Sequence, residues 1–158
     1  MAQQLWLLRH GEAEPHGTRE DDARILTERG IEQARSAGAA LVALGIIPQV
    51  VYTSPKLRAL QTAEHACEAL GLTPVEHAVL ASGFDAAQAL TLAAGDEDGD
   101  GRVLVVGHEP DFSQVVHDLT GARIAMKKGG IAGVRLDGGH GELIVLLRPR
   151  ELRAMGGS

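Results

Sequence analysis

Leu5-Trp6-Leu7-Leu8-Arg9-His10-Gly11 ends a short apolar run on an arginine, a histidine and a glycine. The run is apolar at consecutive positions, as a strand in the middle of a sheet must be. It delivers two polar groups to its carboxyl end, the edge at which open α/β sheets place ligands. The pattern recurs in Val103-Leu104-Val105-Val106-Gly107-His108, a second buried run that stops on a histidine.

Outward from these two runs the chain alternates between strand and helix patterns. Residues 4–9 read as the first strand, and residues 12–24, with Pro15 and Gly17, as an irregular loop. Thr27 is placed to cap a helix whose apolar positions Ile31, Ala34, Ala37, Leu41 and Leu44 run up to Gly45. A strand over 50–53 is broken by Ser54-Pro55. Pro55 suits the first turn of a helix carrying Leu57, Leu60, Ala63, Ala66, Cys67 and Leu70 before Gly71.

A short strand over 75–79, a helix over 85–94, a strand over 103–106 and a helix over 111–119 follow. Strands over 131–136 and 142–147 are joined by the turn Asp137-Gly138-Gly139-His140-Gly141. This alternation predicts a helix-flanked, largely parallel sheet with a hairpin at its end. Residues 1–150 read as one domain and 151–158 as a short flexible C-terminal tail.

The 158 residues suffice for one domain with a sizeable core, and 44% of them are hydrophobic. Only 3% are aromatic, so Leu, Val, Ile and Ala must supply the packing. Fifteen basic against twenty-one acidic residues give a formal charge of -6. That balance repels a polyanion, so nucleic acid is not an expected partner, although a local basic pocket can hold one phosphate. Cys67 is the only cysteine, which excludes a disulfide framework and a thiolate metal site, and it reads as a small buried hydrophobe. No run approaches the roughly 20 apolar residues of a membrane span, and residues 1–8 lack a basic leader. A soluble cytoplasmic protein with no membrane partner is expected. No helix carries a continuous apolar seam, so the sequence sets no oligomeric state.

Two strand-end histidines, with Arg9 and Arg58, point to phosphoryl transfer through a phosphorylated imidazole. Such chemistry requires a nucleophile and cations that neutralise the equatorial oxygens. His10 can attack with one ring nitrogen while a backbone carbonyl holds the proton on the other. Arg9 and Arg58 offer planar arrays of donors that match phosphate. His108 can donate a further hydrogen bond. Residue type and chain order do not decide which histidine attacks. Arg58 lies one turn into the helix after Ser54-Pro55, where free amides favour an anion.

Other signals carry less. Asp96-Glu97-Asp98-Gly99-Asp100-Gly101 imitates the opening of a calcium loop. Its twelfth position is Gly107 instead of glutamate, so it reads as a solvated turn. His65, His77, His117 and His140 show no ligand spacing, and His16 lies in the loop near His10. A dinuclear metal site would need His10, Glu12, His16 and His108 to converge, and no metal is expected. Lys127-Lys128 is too short for a nucleic-acid patch. It reads first as a pair that solubilises its turn, with a place at the phosphate mouth as the alternative.

The ordered set Arg9-His10-Gly11, Ser54-Pro55-Lys56-Leu57-Arg58-Ala59-Leu60-Gln61-Thr62-Ala63 and Gly107-His108-Glu109-Pro110 resembles the histidine phosphatase superfamily, the phosphoglycerate-mutase-like group. Within it, Arg24-Ile25-Leu26-Thr27-Glu28-Arg29-Gly30 and Lys127-Lys128-Gly129-Gly130-Ile131-Ala132 strengthen a likeness to SixA-type phosphohistidine phosphatases. The resemblance implies a three-layer α/β/α sandwich with a mostly parallel mixed central sheet, and no metal or organic cofactor. It makes His10 the nucleophile and Arg9, Arg58 and His108 the clamp around phosphate. It implies attack by His10, loss of the dephosphorylated leaving group, then attack of water and release of inorganic phosphate.

One departure bears on substrate. Relatives that cleave phosphomonoesters often carry a glutamate acid in the segment that corresponds to Val79-Leu80-Ala81-Ser82-Gly83-Phe84-Asp85, and no glutamate stands there. An alkoxide leaves badly without a proton, whereas phosphohistidine has a weaker P–N bond and an imidazole that can leave protonated. The expected substrate is therefore phosphohistidine on a phosphotransfer protein. The alternatives are a small phosphomonoester, with Glu12 or Asp85 as auxiliary acid or orienting group (Glu109 less directly), and a non-catalytic phosphate-binding module.

Overall fold

In a computed structural model, described over residues 3–95 and 101–156, the first strand β1 (Gln3–Arg9) lies inside a six-stranded sheet. After it come α1 (Glu28–Ala43), β2 (Val50–Thr53), α2 (Leu57–Leu70), β3 (Val75–Glu76) and α3 (Ala86–Ala94). The chain continues through β4 (Arg102–Gly107), α4 (Asp111–Thr120), β5 (Ile131–Asp137), β6 (His140–Leu147) and α5 (Pro149–Met155). The sheet order is β3-β2-β4-β1-β5-β6. The first four strands of that order are parallel, β5 runs antiparallel to β1, and β6 antiparallel to β5. This is the expected mostly parallel mixed sheet, with the late hairpin on its edge.

Alternation along β1 builds the two sides of the sandwich. Leu5 and Leu7 point to one face, where they meet Phe112, Val115 and Val116 of α4 and Ala89 of α3. Trp6 and Leu8 point to the other, against Ala37 and Leu41 of α1, Ala59 and Ala63 of α2, and Leu152 of α5. With few aromatics to fill space, this second layer relies on close helix approach. A Cβ on Gly38 of α1 would stand 2.2 Å from the carbonyl oxygen of Ala66 in α2.

Local chemistry fixes the helix ends. The Thr27 hydroxyl accepts the Gly30 amide at 3.1 Å and opens α1, as its sequence position indicates. Asp85 and Gln88 form a reciprocal capping box at α3. Pro55 lies outside α2: Lys56 takes the cap position, and its amide donates to the Ser54 hydroxyl at 3.2 Å. The third strand is shorter than expected, giving way after Glu76 to a 3-10 turn at Ala78–Leu80.

The C-terminus corrects the sequence reading. Residues expected in a flexible tail form α5, with Pro149 in its first turn and Glu151 accepting the Arg148 amide. Its one apolar anchor, Leu152, is fully buried against α1 and the sheet. A single anchor in seven residues leaves too little periodicity to read. The calcium-like run, 96–101, lies outside the described residues except for Gly101.

Candidate active site

Strand pairing brings the two histidines together. β1 and β4 are parallel neighbours with Arg9 opposite Gly107, and the His10 amide donates to the Gly107 carbonyl at 3.0 Å. The next residue of each strand end, His10 and His108, therefore emerges at one point of the carboxyl edge. Their ring centroids are 5.3 Å apart and the planes are tilted by 54°. β2 ends beside them, with the Ser54 amide donating to the Val106 carbonyl at 3.0 Å. The Ser54 hydroxyl then lies 2.8 Å from His108 Nε2. Both rings and the Arg58 guanidinium are buried.

Tautomer and charge state follow from this packing. His10 Nδ1–H donates to the Gly11 carbonyl at 2.8 Å, which leaves the lone pair on Nε2. Burial pushes the His10 pKa down to about 4; the Gly11 bond opposes this, while the charges of Arg58, Arg9 and Lys128 reinforce it. Burial, then His10, Arg58 and Lys56, pushes His108 down to about 3 against a weaker pull from Asp21. Both rings are neutral at neutral pH, and a neutral imidazole is what a nucleophilic attack requires.

Unused donor capacity collects at the same place. Among the described residues, four buried side-chain nitrogens lack a hydrogen-bond partner, and three of them are Arg9 Nε, Arg58 Nε and His108 Nδ1. Buried polar groups are ordinarily satisfied, so such a cluster suits a site whose missing partner is an anion. The four side chains can thus surround a tetrahedral oxyanion with His10 Nε2 available for attack on its central atom.

Several supporting groups were not legible as such. Asp21 holds Arg58 through its backbone carbonyl at 2.9 Å and its carboxylate at 3.2 Å, and the same carboxylate takes the Arg24 Nε at 3.1 Å. Partial burial works against that carboxyl's ionisation, but Arg58 and Arg24 outweigh it and hold the pKa below the ordinary value. The buried Thr62 hydroxyl accepts the Gly11 amide at 3.0 Å and donates to the Arg58 carbonyl at 2.7 Å, tying the His10 loop to α2. Ser54 and Thr62 stand inside the motif that carries the resemblance, so the motif itself was their signal. Asp21 sits in an irregular loop where no pattern marks it.

The remaining candidates separate. Glu12 lines an open groove that Arg9 also lines, and its carboxylate is 3.6 Å from Arg29. The Asp85 carboxylate is engaged in capping α3, and Glu109 accepts the Ser113 amide and hydroxyl in the first turn of α4. His16 is exposed, with Nδ1 3.5 Å from Asp21. No three His, Cys, Asp or Glu side chains cluster as metal ligands among the described residues. Lys127 and Lys128 line the mouth with Arg9, and Lys128 acts on the charge of His10. The turn after Met126 is pinned there because the Gly129 amide donates to the carbonyls of Arg9 and His10 at 3.0 Å. Their first reading, as a pair that only solubilises a turn, is thereby corrected. The Cys67 thiol is buried and its pKa is raised to about 11, so it is inert. No helix among the described residues is long and apolar enough to cross a membrane.

Comparison with known proteins agrees with this geometry. The family model described as histidine phosphatase superfamily (branch 1) matches residues 5–82. An uncharacterized protein of Picosynechococcus sp. is 32% identical over 139 residues, covering 84% of each chain. A 2,3-bisphosphoglycerate-dependent phosphoglycerate mutase of Leifsonia xyli subsp. xyli is 44% identical over 69 residues, 41% of this chain and 27% of the mutase. The match thus spans about a quarter of that relative's length. The solved structure of the protein histidine phosphatase SixA complexed with tungstate superposes with a TM-score of 0.85 at 28% identity, covering 95% of this chain and 99% of that one. The chain belongs to the histidine phosphatase superfamily and has the phosphoglycerate-mutase-like fold, with a close structural match to SixA-type proteins.

Proposed function

We propose that this chain is a phosphohistidine phosphatase, with His10 as the nucleophile. In the reading, Nε2 of His10 attacks phosphorus, the P–N bond to the substrate imidazole breaks, and the phosphoryl group rests on His10. Arg9 and Arg58 neutralise its equatorial oxygens and His108 donates a hydrogen bond. The departing imidazole takes a proton, which solvent can supply because imidazole is basic enough to hold one. Water then attacks the phosphohistidine, inorganic phosphate leaves, and His10 regains its lone pair.

The observation that carries this is the Nδ1 bond from His10 to the Gly11 carbonyl, 2.8 Å long in a ring held neutral by its surroundings. It leaves the ring's one lone pair on Nε2, and Arg9 Nε, Arg58 Nε and His108 Nδ1 are buried without partners, which supports the reading. Choice of substrate rests on the acid. Residues 79–84 hold no carboxylate, and Asp85 is occupied as a helix cap. The solved SixA structure similar to this one holds tungstate, itself a tetrahedral oxyanion. The second reading, a small phosphomonoester phosphatase, is favoured by one feature: Glu12, two residues beyond His10, lines the same groove as Arg9.

Initial rates on a phosphohistidine peptide and on a sugar phosphate, measured with and without chelator, test the choice. Faster release from the peptide, insensitive to chelator, supports the proposal. Equal or faster release from the ester, lost in Glu12→Gln, transfers the assignment to the second reading. Tight phosphate binding without turnover of either substrate identifies a binding module.

A further inference from the structure

An open groove of 1180 Å³ touches the site at Arg9, though not at His10, Arg58 or His108, and runs between α1 and α5. It is larger than the few hundred to about 1,000 Å³ of ordinary small-molecule pockets. Arg9, Lys127 and Lys128 line it beside the end of β1, and Arg35 of α1 with Arg150 and Arg153 of α5 line its helical walls. Adding Arg29 and Arg148, eight of the chain's fifteen basic residues line it, against two acids, Glu12 and Glu32. On a chain of net charge -6 this is a strong segregation of sign. Several of these cations are free to act outward. Among the described residues Lys127, Lys128 and Arg153 have no ion-pair partner, and Arg29, Arg35 and Arg150 make exposed pairs of 3.6, 3.1 and 3.5 Å that exchange readily.

From this we infer that the groove docks an acidic segment of the protein that presents the phosphohistidine. The inference rests on the phosphatase reading and names the partner's chemistry. The phosphoryl group would enter at Arg9, while Asp and Glu residues flanking it lie along α1 and α5. The catalytic cations need only one phosphate; the cations of the helical walls have no role in that chemistry. Complementary charge along such a surface raises encounter rate and fixes register. A nucleic acid fits the groove less well, because the surrounding acidic surface repels a long polyanion.

Two synthetic peptides of equal length, each bearing one phosphohistidine, test this. One flanks it with glutamates and the other with glycine and serine. The wild-type enzyme should show kcat/KM about tenfold higher on the acidic peptide at low salt, carried by KM and shrinking as salt screens the groove. Combining Arg35→Glu, Arg150→Glu and Arg153→Glu should reduce the ratio to about one or below. Equal rates on the two peptides in the wild type, or a ratio unchanged by the triple variant, overturn the docking surface while leaving the phosphatase intact. If neither peptide is hydrolysed but an unphosphorylated glutamate peptide still binds more tightly than its neutral counterpart, the phosphatase reading fails and the groove stands. A single-stranded oligonucleotide that displaces the acidic peptide at lower concentration than free glutamate peptide would reassign the groove to nucleic acid.

Discussion

Asp21 grips Arg58 at two points, its carbonyl oxygen on Nη1 at 2.9 Å and its carboxylate on Nη2 at 3.2 Å. A long side chain loses freedom about several rotatable bonds when it is fixed on a ligand, and the grip removes that freedom from Arg58 ahead of the phosphate binding proposed for it. Asp21→Ala should lower kcat/KM about tenfold to hundredfold, the size of one or two charge-assisted hydrogen bonds at an accessible site. Asp21→Asn keeps an acceptor for Nη2 and should recover most of the loss. Steady-state kinetics on both variants decide it: equal losses would mean that charge, and not orientation, is what Asp21 supplies.

The glycine of Arg-His-Gly is matched by one at the start of α1. A Cβ on Gly11 would lie 2.7 Å from the Gly30 carbonyl oxygen, and one on Gly30 only 2.0 Å from that of Glu12. Each neighbour is a backbone atom and a Cβ is fixed to its own backbone, so no side-chain rotation relieves either contact. Gly30→Ala should destabilise the fold by at least about 1–3 kcal/mol and displace the loop that holds His10. Denaturant unfolding measures the first effect. A variant as stable as wild type would show that this approach is not a close packing constraint.

Acid sensitivity has a defined direction. His10 is held down to about pKa 4, chiefly by burial and then by nearby cations, so its ring is neutral through the neutral range. As pH falls through about 4 the ring gains a proton, Nε2 loses its lone pair, and the attack proposed for it is blocked. Nitrogen NMR of the labelled imidazole should therefore give a midpoint near pH 4 in the phosphate-free protein. A midpoint near the ordinary histidine value of about 6.5 would contradict the buried, cation-flanked environment.

The last helix offers a stability test. Leu152 is the fully buried residue of α5 and packs with Trp6, Ala37 and Leu41. Leu152→Ala should cost about 2–5 kcal/mol, the range for removing a buried leucine side chain. A loss near zero would return residues 151 onward to the loosely held tail that the sequence suggested.

Particular residues explain what was and was not legible before the fold was known. Consecutive buried positions in Leu5 to Leu8 and Val103 to Val106 identify central strands, and Thr27 marks the start of α1 because a cap is a local bond. His10 and His108 could be linked because each ends such a strand; their 5.3 Å separation, however, depends on β1 and β4 being neighbours, which no local pattern encodes. Asp21 reaches Arg58 across 37 positions from an irregular loop, so its contribution is wholly tertiary. Lys127 and Lys128 gained their place at the mouth from the Gly129 amide's bonds to the ends of β1, again a contact between distant segments. The basic groove needed α5 as its wall, and one anchor residue was too faint a sign of that helix.

The most direct test of the covalent step is rapid trapping in alkaline detergent with substrate labelled in the phosphoryl group, followed by peptide mapping at alkaline pH. The account predicts a base-stable, acid-labile phosphate on the peptide that contains His10, absent from His10→Ala. Label on His108, or complete turnover with no phosphoenzyme formed at any time point, would contradict it.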